Sequence, residues 1–205
     1  MFTITEVRSG STRIQFREEH VSGLRCKISP ARLNRRLDAA YVPPPVPARC
    51  PFCEGEVERV TPTFSNGTRI SVGESLTFPN LFPFAEWHTV TIITRAHSVD
   101  GFSPRQIEDA LTGQVQSLGG QSGYPGINWN YLPSAGASIA HPHLQGLVDR
   151  RPAVLAERYM EGGFRFLIRH GENYWDRLIE HERNSERFLF GDEIIWMAQA
   201  VPLGE

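Results

Sequence analysis

The sequence predicts an α+β fold. Three observations carry that expectation: a strand rich in β-branched residues over 87–95, a helix with both ends marked over 103–118, and apolar runs that pair as hairpins instead of alternating with helices in βαβ order.

Taken in order, an apolar, strand-like stretch leads into the basic segment 29–36, which contains Arg32 and Arg35. Residues 41–49 carry four prolines. Proline fixes φ and lacks an amide hydrogen, so this segment reads as an extended connector that delivers the chain to Cys50-Pro-Phe-Cys53. Residues 87–95 hold neither Gly nor Pro and form the clearest strand. The next helix has Ser103 as N-cap, Pro104 at its first position and Gln106 completing a capping box. Its apolar face would be Ile107, Leu111, Val115 and Leu118, and Gly119-Gly120 would end it. Residues 127–132 and 141–148 read as strands joined by the small-residue loop 133–138. Helical periods return over 153–160 and 164–179, and 185–190 and 193–198 form a hairpin turning at Gly191-Asp192.

The chain has 205 residues, 40% apolar and 21% charged, which fits a globular protein and excludes disorder. No run reaches the roughly 18 apolar residues of a spanning helix, and the first ten residues lack a secretory pattern. No membrane partner and a cytoplasmic location are therefore expected. A net charge of -2 offers no general attraction for nucleic acid, so an anionic ligand must be held locally. Three cysteines cannot all pair, and without an export signal a disulfide framework is not expected. Cys50 and Cys53 read instead as metal or redox residues, and Cys26 as a spare buried thiol.

Alternation along a strand puts His141, His143 and Gln145 on one face. Two imidazoles and an amide so placed can hold a metal, grip a phosphate, or supply a nucleophile with a hydrogen-bond donor beside it. Cys50-x-x-Cys53 is half of a tetrahedral zinc site, for which His97 and His141 are the best-placed other half. A redox pair is the alternative, but such pairs sit at strand-to-helix junctions, not behind a proline-rich connector.

The run Asn130-x7-Ser138-x2-His141-Pro-His143-x-Gln145 resembles the signature of galactose-1-phosphate uridylyltransferase and its relatives, the transferase branch of the histidine-triad superfamily. Pro30-Ala-Arg32 with Arg35 looks like that family's arginine segment, and Cys50-Pro-Phe-Cys53 like its metal cysteines. Phe78-Pro-Asn80 resembles its nucleotide-contacting strand, and Arg95-Ala-His97 its third metal ligand. The match is collinear over about residues 25–148, and it is to the N-terminal half of the family.

The resemblance implies a histidine-triad-like antiparallel sheet with flanking helices, a nucleotidyltransferase domain over 1–184 and the start of a second, related half over 185–205. It implies that His143 is the nucleophile and that Gln145 partners a phosphoryl oxygen. Cys50, Cys53, His97 and His141 would bind zinc, Arg32 and Arg35 would neutralise a diphosphate, Asn80 would lie near the nucleoside, and Asn130 and Ser138 would orient His143 and the phosphates. The activity so implied moves UMP or AMP between a UDP- or ADP-hexose and phosphate or a hexose phosphate, as in galactose metabolism. Leu81 stands where the family has an acidic residue, which leaves base and ribose preference open. Because Gln145 cannot titrate whereas a third histidine could, transfer is favoured over hydrolysis. A histidine-triad hydrolase and a zinc- and nucleotide-binding module without turnover are the other classes considered. The apolar edge of the 185–200 hairpin makes a homodimer attractive.

Overall fold

The computed structural model describes residues 1–10, 12–30, 49–97, 101–131 and 135–203. Its elements run β1 (Phe2–Ser9), β2 (Thr12–Glu19), β3 (Arg25–Ile28), α1 (Val57–Val60), β4 (Ile70–Val72), β5 (Ser75–Pro79), β6 (Trp87–Ile92), α2 (Pro104–Leu118), β7 (Tyr124–Asn128), β8 (His143–Asp149), α3 (Val154–His170), α4 (Tyr174–Glu182), β9 (Phe188–Phe190) and β10 (Trp196–Met197). The expected α+β class is what is observed. The chain divides into two compact units, Tyr41–Pro152 and Met1–Ala40 with Ala153–Glu205.

The Tyr41–Pro152 unit is built on a five-stranded antiparallel sheet in the order β4-β5-β6-β8-β7. Register sorts its side chains by face. Leu76 pairs with Ile92 and Ile92 with His143; Phe78 pairs with Val90 and Val90 with Gln145. This face packs on Cys50, Phe52 and Val57 and forms the apolar core. The opposite face carries Thr77, Thr89 and Thr91, opposite Leu144 and Gly146, and receives α2. Hydroxyls therefore line the helix interface, where Thr89 Oγ1 donates to Gln114 Oε1 (2.9 Å) and the hydroxyls of Thr77 and Thr91 bond each other (2.6 Å).

That interface corrects the expected helix face in part: Ile107 packs on the cluster of Ile93, Ala110 and Leu144 as expected, but Leu111 and Val115 do not turn inward. The capping box forms as read, with Ser103 and Gln106 exchanging both bonds. The buried residues, however, are Asp109, Ala110, Gly113, Gln114 and Ser117, while Leu111 is 39% and Val115 62% exposed. A threonine-lined sheet selects small and hydrogen-bonding partners over leucine and valine. Gly113 is needed because a Cβ there would lie 2.7 Å from Thr77 Oγ1.

The second unit contains the antiparallel sheet β1-β2-β3, the helices α3 and α4, and the pair β9-β10. Helical structure is continuous from Val154 to His170, in contrast to the break expected between 160 and 164. Gly162 packs so closely on the Val21 carbonyl that a Cβ would stand 1.9 Å from its oxygen, so this glycine serves helix packing and not helix termination. The helix stops instead at Gly171 (φ +70°), whose N–H reaches Leu167 O (2.8 Å), and Asn173 caps α4. The final hairpin is shorter than expected, pairing only Phe188 and Phe190 with Met197 and Trp196 across a bulge. Strand β7 likewise runs over Tyr124–Asn128 and not 127–132, because Tyr124 already pairs with Asp149. Cys26 is half-buried on β3, not buried as expected, since β3 is a sheet-edge strand.

Candidate active site and metal centre

The Cys50-Pro-Phe-Cys53 segment is a tight turn. Cys53 N–H donates to Cys50 O (3.3 Å), and Cys53 O accepts from Glu56 and Val57, which starts α1. The turn brings both thiols to the histidines. Cys53 Sγ lies 3.3 Å from His97 Nδ1, and His141 Nδ1 lies 3.8 Å from each sulfur. All four donor atoms fall within 4.8 Å of one another. A tetrahedral ion with Zn–S of about 2.3 Å and Zn–N of about 2.0 Å requires ligand-to-ligand edges of about 3.5 Å, so the Cys2His2 set fits.

The surroundings prepare these ligands. His141 Nε2–H donates to Thr94 O (2.9 Å), which frees Nδ1 for a cation. Thr94 is in turn held by Glu74, which also accepts from Gln106 (2.6 and 2.7 Å). Glu58 pairs with Arg95 (2.7 Å) and ties α1 to the segment before His97. Burial, with Cys50 adding to it, pushes the Cys53 thiol up to about 11, so a bound cation must displace a proton.

His143 and Gln145 lie on the neighbouring cavity wall, while His141, just outside the strand, turns to the cysteines. The expected single face of three polar groups is thus divided between two sites. The cavity encloses about 510 Å³ and is lined by Asn80, Asn130, Ser138, His143 and Gln145, with Phe52, Phe78, Leu81, Phe82 and Phe84 as its apolar walls. His143 Nδ1–H donates to His141 O (2.8 Å), leaving Nε2 with its lone pair. Burial lowers the imidazole's affinity for a second proton, opposed by the His141 carbonyl, and so favours the neutral ring. Phe52 meets the rings of His143 (5.3 Å) and His141 (6.2 Å) edge-on, making one side chain the wall of both sites. A neutral imidazole with a free lone pair beside a carboxamide in a sheltered cavity can serve as a nucleophile or a general base next to a hydrogen-bonding group.

Arg32 and Arg35 lie outside the described residues. His88, which sequence reasoning did not single out, sits 5% exposed between Asn80 and Gln145. The alternation of β6 offered the signal, since 88, 90 and 92 share the face that carries the site.

The antiparallel sheet with α2 packed on one face and the site on the other is a histidine-triad-like α+β fold. Solved structures sharing this fold include an ADP-glucose phosphorylase from Arabidopsis thaliana with bound ADP-glucose, at 20% identity and TM-score 0.58 over 78% of this chain and 56% of that one. A uridylyltransferase matches at 20% identity and TM-score 0.55 over 87% of this chain and 59% of that one. A GalT-like protein from Arabidopsis thaliana matches at 20% and 0.54 over 70% and 52%. An uncharacterized protein of Archaeoglobus fulgidus is 29% identical over 164 residues, covering 76% of this chain and 50% of the relative. The chain therefore spans about half the length of that relative. No protein-family model matches the chain. Among the described residues, no helix is long and apolar enough to cross a membrane.

Proposed function

We propose that the protein is a nucleotidyltransferase that carries UMP or AMP on His143 between a nucleotide hexose and a phosphate or hexose phosphate acceptor. The observation that carries this reading is the bond from His143 Nδ1–H to His141 O (2.8 Å), which leaves the Nε2 lone pair to a cavity of about 510 Å³. The fold shared with an ADP-glucose phosphorylase holding ADP-glucose supports the ligand class.

In the first step the Nε2 lone pair attacks the α-phosphorus, an N–P bond forms, and the bond to the bridging oxygen breaks to release hexose 1-phosphate. In the second an acceptor phosphate oxygen attacks the same phosphorus and His143 is regenerated. Gln145, Asn130 and Ser138 meet the phosphoryl oxygens, each donor contributing about 3 kcal/mol where water is excluded. Asn80 and the apolar rim at Phe82 and Phe84 receive the nucleoside, and Arg32 and Arg35 the diphosphate charge. Zinc on Cys50, Cys53, His97 and His141 would pin the Phe52 turn to the strand, a structural role, because four protein ligands leave no open position. A cytoplasmic homodimer working in hexose metabolism completes the reading.

The test is incubation with UDP-glucose or ADP-glucose labelled with 32P at the α-phosphorus. Acid-labile label on the wild type and none on His143→Ala is expected; no label from either sugar with zinc-loaded protein defeats the proposal.

A further inference from the structure

His88 is buried in β6, with the Phe84 ring edge-on to it (4.4 Å), and its imidazole makes three polar contacts. The Phe84 backbone N–H reaches Nδ1 (3.3 Å), while Gln145 Oε1 (2.9 Å) and the Asn80 amide nitrogen (3.0 Å) both approach Nε2. A backbone amide can only donate, so Nδ1 must accept, and in a neutral ring the proton then sits on Nε2. Burial disfavours the charged ring, opposed only by Gln145 and Asp149.

The Asn80 amide has its own anchor, since Asn80 Oδ1 accepts from the Phe82 N–H (2.9 Å). Its nitrogen therefore brings hydrogens to Nε2 and offers that atom no acceptor. Gln145 Oε1 is the acceptor that remains. With these atoms in place, the ring protonated on Nε2 makes two bonds, to Phe84 and Gln145, and leaves the Asn80 amide facing a donor (3.0 Å). The opposite tautomer makes only the Asn80 bond and sets two N–H groups against each other at Phe84 (3.3 Å). It would also turn the Gln145 carboxamide round, so that Oε1 faced the cavity. The two tautomers thus differ in the polarity shown to a ligand: amide hydrogens in one case, a carbonyl lone pair in the other. A phosphoryl group is bound by the first and repelled by the second.

We propose that His88, protonated on Nε2, is the positioning residue that holds Gln145 with Oε1 turned inward and its amide hydrogens toward the cavity. Its consequence for phosphoryl transfer rests on the function proposed above; the orientation itself does not.

Gln at position 88 places a donor nitrogen where Nε2 was, whereas Asn places one where Nδ1 was, opposite the Phe84 N–H. Long-range 1H–15N spectra of histidine-labelled protein, with the His88 signals found by their loss in His88→Gln, show which ring nitrogen is protonated. Protonated Nε2 is expected, and protonated Nδ1 overturns the proposal whether or not the protein transfers nucleotides. Single-turnover labelling from UDP-glucose and ADP-glucose should fall about 100-fold or more in His88→Asn, with the half-saturating nucleotide sugar concentration changed less than about threefold. His88→Gln should recover most of that loss, both variants melting as folded proteins. Equal losses in the two variants overturn the positioning role. If the wild type takes up no label, the functional reading has failed, and the ring tautomer with the Gln145 side-chain amide signals still decides: a shift in His88→Asn but not in His88→Gln supports the proposal, and no difference between them overturns it.

Discussion

Adding one methyl group at Gly146 should unseat α2 from the sheet that carries the site. The new Cβ would lie 2.0 Å from Gln114 Oε1, 2.9 Å from Gln114 Cδ and 2.7 Å from Thr89 Oγ1. Gln114 has 0% exposure, and its Oε1 accepts from Thr89 (2.9 Å) and Ser117 (3.2 Å), so no free side-chain end can swing aside. Overpacking of this kind costs about 1–3 kcal/mol. Separating Gln114 from Thr89 leaves a buried polar atom short of a partner, at about 1–3 kcal/mol, although the contact of Thr89 with Ser117 (3.0 Å) keeps the second figure toward its lower end. Together Gly146→Ala should lose about 3 kcal/mol. Urea unfolding followed by circular dichroism measures this, with an unchanged m-value. In the double variant Gly146→Ala/Gln114→Ala the clash is gone, so the two losses should fall short of additivity by about 1 kcal/mol or more. A Gly146→Ala protein within about 0.5 kcal/mol of wild type, or an additive cycle, refutes the docking described.

By elemental analysis after dialysis, the wild type should keep about one zinc per chain and Cys53→Ser none; full retention in the variant would show that the cluster is not the binding site. Phe52→Ala should lose about 3 kcal/mol or more in a melt of zinc-loaded protein, because Phe52 is 8% exposed and packs on Phe78 and both histidine rings; a loss under about 1 kcal/mol would contradict that packing. Burial alone would raise the Glu182 carboxyl, but bonds from Arg187, His181 and Ser185 outweigh it and hold it at about 2. Its stabilisation, up to about 3 kcal/mol, is present above the unfolded carboxylate range near pH 4.5 and lost as pH falls toward 2, so Glu182→Gln should flatten the acid limb of a stability-versus-pH curve. An unchanged acid limb would contradict this.

The parts of the fold that could be read from sequence are those set by local chemistry. Ser103, Pro104 and Gln106 specify the start of α2 through bonds among neighbours, and the strand at 87–92 follows from β-branched composition. The inner face of α2 could not be read, because burial of Gln114 and Ser117 depends on threonines arriving from β5 and β6. Gly162 reads as a helix breaker until Val21 is known to lie against it. The strands β1 and β2 escape notice because their half-exposed faces carry many charges, leaving only the pairing itself to mark them. At the site, the spacing of the cysteines and of His141 and His143 was enough to nominate the groups that come together. His88 carries no motif, and its relation to Gln145 exists only through the β6–β8 register.

The central claim is that His143 takes the nucleotidyl group before any acceptor arrives. Mixing zinc-loaded protein with excess UDP-glucose or ADP-glucose in the absence of acceptor, and counting hexose 1-phosphate at early times, tests it most directly. A rapid burst approaching one product per chain, absent in His143→Ala, is predicted. Slow linear release with no burst, or a burst that survives His143→Ala, would contradict it.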